Sequence, residues 1–234
     1  MNNIDAAHTV KLVVTPESTW KGALTGVPVP ISAAGSTTQP DKRVGDILVV
    51  AGLDGQGQLR LSLGPEAKVS AGKIFKAAGS LGKWLYEHEV AEIGLRPSDF
   101  EALGIEHALR IFCDGLLLGA FRFKEYKSKQ DKNVHTDIHL LAGENDLELE
   151  EMARTSMGSV AGANYARQVA HQPANVINPE TLAERARSLA AETGMRLTVL
   201  NDEELAEMGA GAILSVGLGS QTGSRLIILE YPGQ

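Results

Sequence analysis

Apolar positions recur along this chain with two different periods, and the alternation between them predicts its elements. Thr9 to Val14 (TVKLVV) and Asp46 to Ala51 (DILVVA) are short β-branched runs. Gly57 to Leu63 alternates Leu59, Leu61 and Leu63 against Arg60 and Ser62, so all three stretches read as strands. Between the first two, Gly26 to Pro40 is rich in Pro, Gly, Ser and Thr and has no period, which reads as a loop. Ser70 to Glu89 places Ile74, Ala77, Ala78, Leu81 and Leu85 on one helical face, and Ser98 reads as the cap of a short helix. The apolar run from Leu103 to Phe123 is ambiguous: HALRIF fits a strand, or the start of a helix through GLLLGAF. Val134 to Leu141 (VHTDIHLL) alternates and predicts a strand.

Gly143 to Asp146 (GEND) is a turn with cap chemistry, and a long helix follows from Leu147 to about Gln172. Leu149, Ala153, Met157, Val160, Ala163, Ala166 and Val169 form its apolar side, and Gly158, Ala161 and Gly162 would let another backbone come close. Pro173 stops that helix, because it has no N–H and clashes with the turn before it. A new helix starts with Asn178 as N-cap, Pro179 at the first helical position and Glu180 at the positive end, and Gly194 closes it as a left-handed C-cap. Strand Met195 to Leu200, helix Asp202 to Met208, a glycine-rich segment and strand Arg225 to Tyr231 complete the order. Strands separated by helices predict parallel pairing. Two strands are few for such a sheet, so the second part of the chain reads as an incomplete α/β layer with uncovered apolar area.

Composition narrows the function classes. The 234 residues carry 22 Lys and Arg against 29 Asp and Glu, a formal charge of -7, which argues against a general polyanion binder. A single cysteine excludes an internal disulfide, and Cys113 falls in the apolar run IFC, where a buried structural thiol is expected. No apolar run approaches a membrane span and no signal-like segment opens the chain, so a cytosolic protein is the expectation.

Several constellations invite a functional reading. His135, Asp137 and His139 share one face of a predicted strand and are zinc-type ligands, but neighbours on one strand splay apart, so a solvated face is expected. The acidic run Glu144, Asp146, Glu148, Glu150 and Glu151 lacks calcium-loop spacing and fits a helix start. Gly217, Leu218, Gly219 and Ser220, with Gly223, lead into a strand instead of opening a helix, so they read as a turn and not a dinucleotide fingerprint. Lys124, Lys127, Lys129 and Lys132 around Tyr126 read as a solvated basic loop. There is no G-x-S-x-G elbow for nucleophilic catalysis.

Four blocks carry a family likeness. QPANVINPETLAERA from Gln172, MGAGAILSVGLGS from Met208 and RLIILEY from Arg225 resemble the interdomain junction of the leucyl aminopeptidase (cytosol aminopeptidase) family. GLLLGAFRFKEYKSK, Gly115 to Lys129, is similar to a stretch of that family's N-terminal domain. His171 stands where the family usually has Asn, and Asn178 where it has Thr. The resemblance implies an α/β fold in three parts: a macrodomain-like N-terminal α/β domain over residues 1–143, a connecting helix over 144–172, and over 173–234 a partial catalytic α/β domain that stops before the metal site.

It also implies an exopeptidase that releases N-terminal residues from peptides, typically a homohexamer. Two divalent ions, manganese or zinc, polarise the scissile carbonyl and activate a bridging water. The family's ligand motifs, K-G-x-x-x-D-x-G-G and N-T-D-A-E-G-R, do not occur in this sequence. No catalytic, cofactor or metal residue is therefore carried over, and the chain by itself is expected to bind no metal and to be inactive. A non-catalytic module that binds a ligand or a partner subunit is the alternative. A downstream K-G-x-x-x-D-x-G-G in the reading frame, against a stop codon, discriminates the two.

Overall fold

The computed structural model describes residues 8–22, 24–31, 43–51, 57–65, 68–128 and 132–233. They divide into two compact units, Asp5–Ala166 and a second that contains Arg167–Gln234. In the first, the strands are β1 (His8–Pro16), β2 (Leu24–Ile31), β3 (Ile47–Ala51), β4 (Gly57–Pro65), β5 (Glu92–Leu95) and β6 (Val134–Ala142). They form one six-stranded sheet in the order β1-β6-β5-β2-β4-β3. Every pairing is parallel except that of β3 with β4.

The helices of this unit are α1 (Ala71–Glu87), α2 (Pro97–Glu101), α3 (Ala108–Gly119) and α4 (Leu147–Ala170), whose last residues pass into the second unit. The predicted α1 face is the buried one: Ile74, Ala77, Ala78, Leu81 and Leu85 are all fully buried. They join Leu59, Leu61, Leu63, Ile93, Ile138 and Leu140 of the sheet and Phe112 and Leu116 of α3 in one core. Phe100 of α2 meets Phe112 edge-on at 4.9 Å between ring centroids, the geometry that aromatic quadrupoles favour.

What fixes the spacing of α1 and α3 is glycine. A Cβ on Gly82 would lie 2.4 Å from the Leu116 carbonyl oxygen, one on Gly115 2.5 Å from that of Phe75, and one on Gly119 2.3 Å from that of Gly79. These are backbone atoms that cannot rotate away, so the two helices touch main chain to main chain. HALRIF is therefore the start of a helix and not a strand, because its apolar residues serve a helical seam with α1.

Three other expectations are corrected here. Gly26 to Pro40 is not all loop, since Leu24–Ile31 is a strand between β4 and β5. Pro28 and Pro30 are tolerated because pairing with β5 involves only Thr25 and Gly26, so that ladder ends before either proline lacks an N–H to give. The alternate residues Val27 and Val29 keep their N–H groups while β2 pairs with β4. Residues 32–40 lie outside the described residues. Ser98 is not a cap: Arg96 is the N-cap of α2 and Pro97 its first residue. In α4 the buried stripe is Leu149, Ala153, Ser156 and Val160, whereas Ala163 and Ala166 are exposed. Nothing lies within 4 Å of a Cβ built on Gly158 or Gly162, which face solvent and receive no neighbouring backbone among the described residues.

The second unit holds α5 (Pro179–Thr193), β7 (Arg196–Leu200), α6 (Asp202–Glu207), α7 (Gly211–Gly217) and β8 (Leu226–Glu230). Its local signals are realised as predicted. The Asn178 side chain accepts from the Glu180 and Thr181 amides, Pro179 opens α5, and Gly194 ends it at φ 72°. Asn201 forms a second capping box with Glu204. The predicted parallel pairing is not found, because β7 and β8 are antiparallel. Their connection contains two short helices with Gly209 at φ 73° between them, not the single crossover helix that returns a chain in the same direction. Apolar area is left uncovered, with Val216 86%, Leu218 84%, Ile228 39% and Leu229 39% exposed. No helix among the described residues is long and apolar enough to cross a membrane.

The glycine seam makes a paired prediction. Gly119→Ala must push α1 and α3 apart and should cost about 1–3 kcal/mol, the usual scale of overpacking. Gly158→Ala, in an open exposed helix interior, should instead gain about 0.5–1 kcal/mol. Urea midpoints of the two variants check this; equal shifts would refute the seam.

Candidate functional site

The carboxyl ends of β1, β5 and β6 lie side by side, because all three run parallel and in register. Ligands of open α/β sheets bind at this edge, outside the strand ends. Here it carries a cleft of about 470 Å³. β1 contributes Pro16 and, through the 3-10 turn Glu17–Thr19, Glu17 and Ser18; the exit of β5 contributes Arg96, Pro97 and Ser98. Leu141, Ala142 and the turn to α4, with Gly143, Glu144 and Asp146, complete the wall. Asn145 holds this turn at φ 58°, a conformation that Asn tolerates better than most residues.

Its electrostatics centre on Arg96. The Nε of Arg96 donates to Glu17 Oε1 at 2.5 Å, joining the ends of β1 and β5 across 79 residues of sequence. Asp99, one turn on in α2, has its carboxyl held above the usual carboxylate range by burial; the Arg96 charge opposes this shift and the Glu17 charge adds to it. Asp146 Oδ1 accepts from the Leu149 amide and caps α4, so that carboxylate is partly spent on structure. Acids crowd this turn for the reason expected, since Glu148 and Glu150 follow in the first turn of the helix.

The other candidate groups do not converge. His135, Asp137 and His139 do share the solvent-facing side of β6, while Val134, Thr136, Ile138 and Leu140 are buried on the other. They separate into two pairs. His135 Nε2 bonds Asp137 Oδ1 at 3.1 Å; His139 Nδ1 bonds Thr15 Oγ1 at 2.8 Å, and its ring lies 4.5 Å from that of Trp20. No group of three or more His, Cys, Asp or Glu among the described residues is arranged to hold a metal ion.

Lys124 donates to the Lys132 carbonyl at 2.7 Å and lies 4.9 Å above the Tyr86 ring, and Lys132 pairs with Glu89. Those two lysines of the basic loop are thus tied to the protein itself, and Lys129 lies outside the described residues. Gly217 to Ser220 ends α7 in a turn. At Gly223 a Cβ would meet Asp202 Oδ2 at 2.1 Å, so the glycine there admits the carboxylate that accepts from the Ser224 amide. Cys113 is fully buried, and burial pushes its thiol up to about 12, which leaves it unreactive.

The N-terminal domain of the cytosol aminopeptidase family matches residues 35–130, and that family's catalytic domain matches residues 164–234. The chain belongs to the cytosol aminopeptidase family. A probable cytosol aminopeptidase of Syntrophotalea carbinolica is 35% identical over 78% of this chain and 38% of its own length. One of Clostridium perfringens is 30% identical over 76% of this chain and 37% of its own. The chain thus spans well under half the length of these relatives.

Among solved structures, a tomato leucine aminopeptidase mutant superposes with a TM-score of 0.72 at 16% identity, covering 100% of this chain and 53% of that one. The bottromycin maturation enzyme BotP gives 0.73 at 21% identity, covering 90% and 46%. These two likenesses establish a shared fold. Glu17, Arg96 and Glu144 were not singled out together by sequence, because their meeting depends on the register of three strands; only the GEND turn and an Arg-Pro step after a short run marked the place.

The raised Asp99 carboxyl yields a signed prediction. Between its ordinary value and the raised one, the folded chain holds a proton that the unfolded chain has released, so this group removes stability as pH rises through that window. Asp99→Asn should therefore be more stable than the parent at neutral pH, with the gain vanishing below the ordinary carboxylate range. Chemical denaturation across acidic to neutral pH checks it; a gain confined to low pH would contradict the burial account.

Proposed function

We propose that this chain supplies the N-terminal domain (1–143), the connecting helix (144–172) and the opening of the catalytic domain (173–234) of a leucyl aminopeptidase-like exopeptidase. The whole enzyme releases N-terminal residues from peptides in the cytosol, as a homohexamer. The observation that carries the reading is that the N-terminal and catalytic domains of one family match in order along the same chain. A stand-alone binding module would call for the first match and not the second.

The metals belong elsewhere in this reading. When bound, two divalent ions would supply carbonyl polarisation and an activated water. The residues of this chain do not fit that role: the family's ligand motifs are absent from the sequence, and no suitable grouping occurs among the described residues. No catalytic step is assigned to any residue here. The contribution of the chain is architectural, an α/β body and the first capped helix and strands of the catalytic layer.

Two measurements test this. The purified chain should release no leucine from leucinamide with excess manganese or zinc, and elemental analysis should find no stoichiometric metal. A fusion to the remaining portion of the Syntrophotalea carbinolica relative should gain chelator-sensitive turnover. Two metals bound by the chain alone with chelator-sensitive hydrolysis, or a folded fusion without activity, would overturn the proposal.

A further inference from the structure

The cleft at the ends of β1, β5 and β6 has opposite charges with unused hydrogen-bonding capacity. Only the Nε of Arg96 is engaged, by Glu17; its two terminal nitrogens make no hydrogen bond among the described residues. A free guanidinium end is a fork matched to a carboxylate. Glu144 lines the same cleft and is exposed with no hydrogen-bond partner among the described residues, and Asp146, one of whose oxygens caps α4, lines it as well. Buried Leu141 and half-buried Pro97 supply apolar wall in the same cleft.

These features select one chemistry. An anion alone would satisfy Arg96 but would face uncompensated carboxylates, which disfavours phosphate and nucleotides. A cation alone would leave the guanidinium fork empty. We propose that the cleft binds a free α-amino acid or a dipeptide in its zwitterionic form. Arg96 takes the carboxylate, Glu144 with Asp146 takes the ammonium, and the side chain lies against Leu141 and Pro97. The volume of about 470 Å³ accommodates either, within the roughly 300–1,000 Å³ of small-molecule sites. The groups are solvent-facing, so the affinity belongs in the millimolar range, as suits a site that senses an amino-acid pool. This inference stands on the cleft alone and does not require the peptidase reading.

Amide chemical-shift titration of the full chain tests it, with leucine, N-acetylleucine, leucinamide and inorganic phosphate as probes. Leucine should give saturable shifts around Arg96, Ser98 and Gly143. N-acetylleucine, lacking the ammonium, and leucinamide, lacking the carboxylate, should each bind about tenfold more weakly, the scale of one charged hydrogen-bonded contact. Glu144→Gln should abolish the preference for leucine over N-acetylleucine and keep that over leucinamide; Arg96→Gln should do the reverse. If Arg96→Gln fails to fold, the ligand series on the parent chain still decides. No saturable response to leucine, equal binding of either blocked analogue, or tighter binding of phosphate would overturn the proposal.

Discussion

The close contact of α1 with α3 is the constraint on which the larger unit depends. Gly82, Gly115 and Gly119 leave no room for a side chain between the two backbones, and the helices meet at main-chain distance. At that distance Ile74, Leu81 and Leu85 of one helix and Phe112 and Leu116 of the other share one core with the buried residues of the sheet. A wider pair would leave voids over Leu59, Leu61 and Ile138, and voids in a close-packed core are costly. With apolar cover on one face, β6 can keep His135, Asp137 and His139 on the other, and so reads as an alternating strand although its neighbours are parallel.

How much of this was legible in the sequence follows from how local each cause is. Asn178, Pro179 and Gly194 act within one turn of themselves, and the structure realises all three. The α1 face repeats from Ile74 to Leu85, about three turns at 3.6 residues each, and has a single period. β2 was hidden because Pro28 and Pro30 signal a loop everywhere except where the partner strand ends early, a fact of β5 and not of β2. β5 itself has only four residues, one of them Gly94, too few to show a period. HALRIF satisfied both periods, and only the glycine seam with α1 settles it as helix. The antiparallel β7 and β8 depend on how two short helices turn between them, which spacing alone does not encode.

The candidate cleft was the least legible part for the same reason. Glu17, Arg96 and Glu144 come from three separate segments, and the parallel register of β1, β6 and β5 brings their exits together. The sharper local motif, His135 with Asp137 and His139, separates into an exposed His135–Asp137 pair and a largely covered His139 held by Thr15 and Trp20. The family likeness gains a physical basis in part: the stretch from Gly115 that resembles the N-terminal domain includes two of the glycines of the seam.

The glycine seam makes α1, α3 and the sheet one cooperative body. Native-state hydrogen exchange tests it most directly, because amides that open only in a shared unfolding event exchange with the same free energy. The amides of α3, β6 and the inner turns of α1 should form one slowest-exchanging group, while β7 and β8, which among the described residues pair with each other alone, should exchange faster. If α3 exchanges as readily as β7 and β8 while β6 stays protected, the seam is not what holds the unit together.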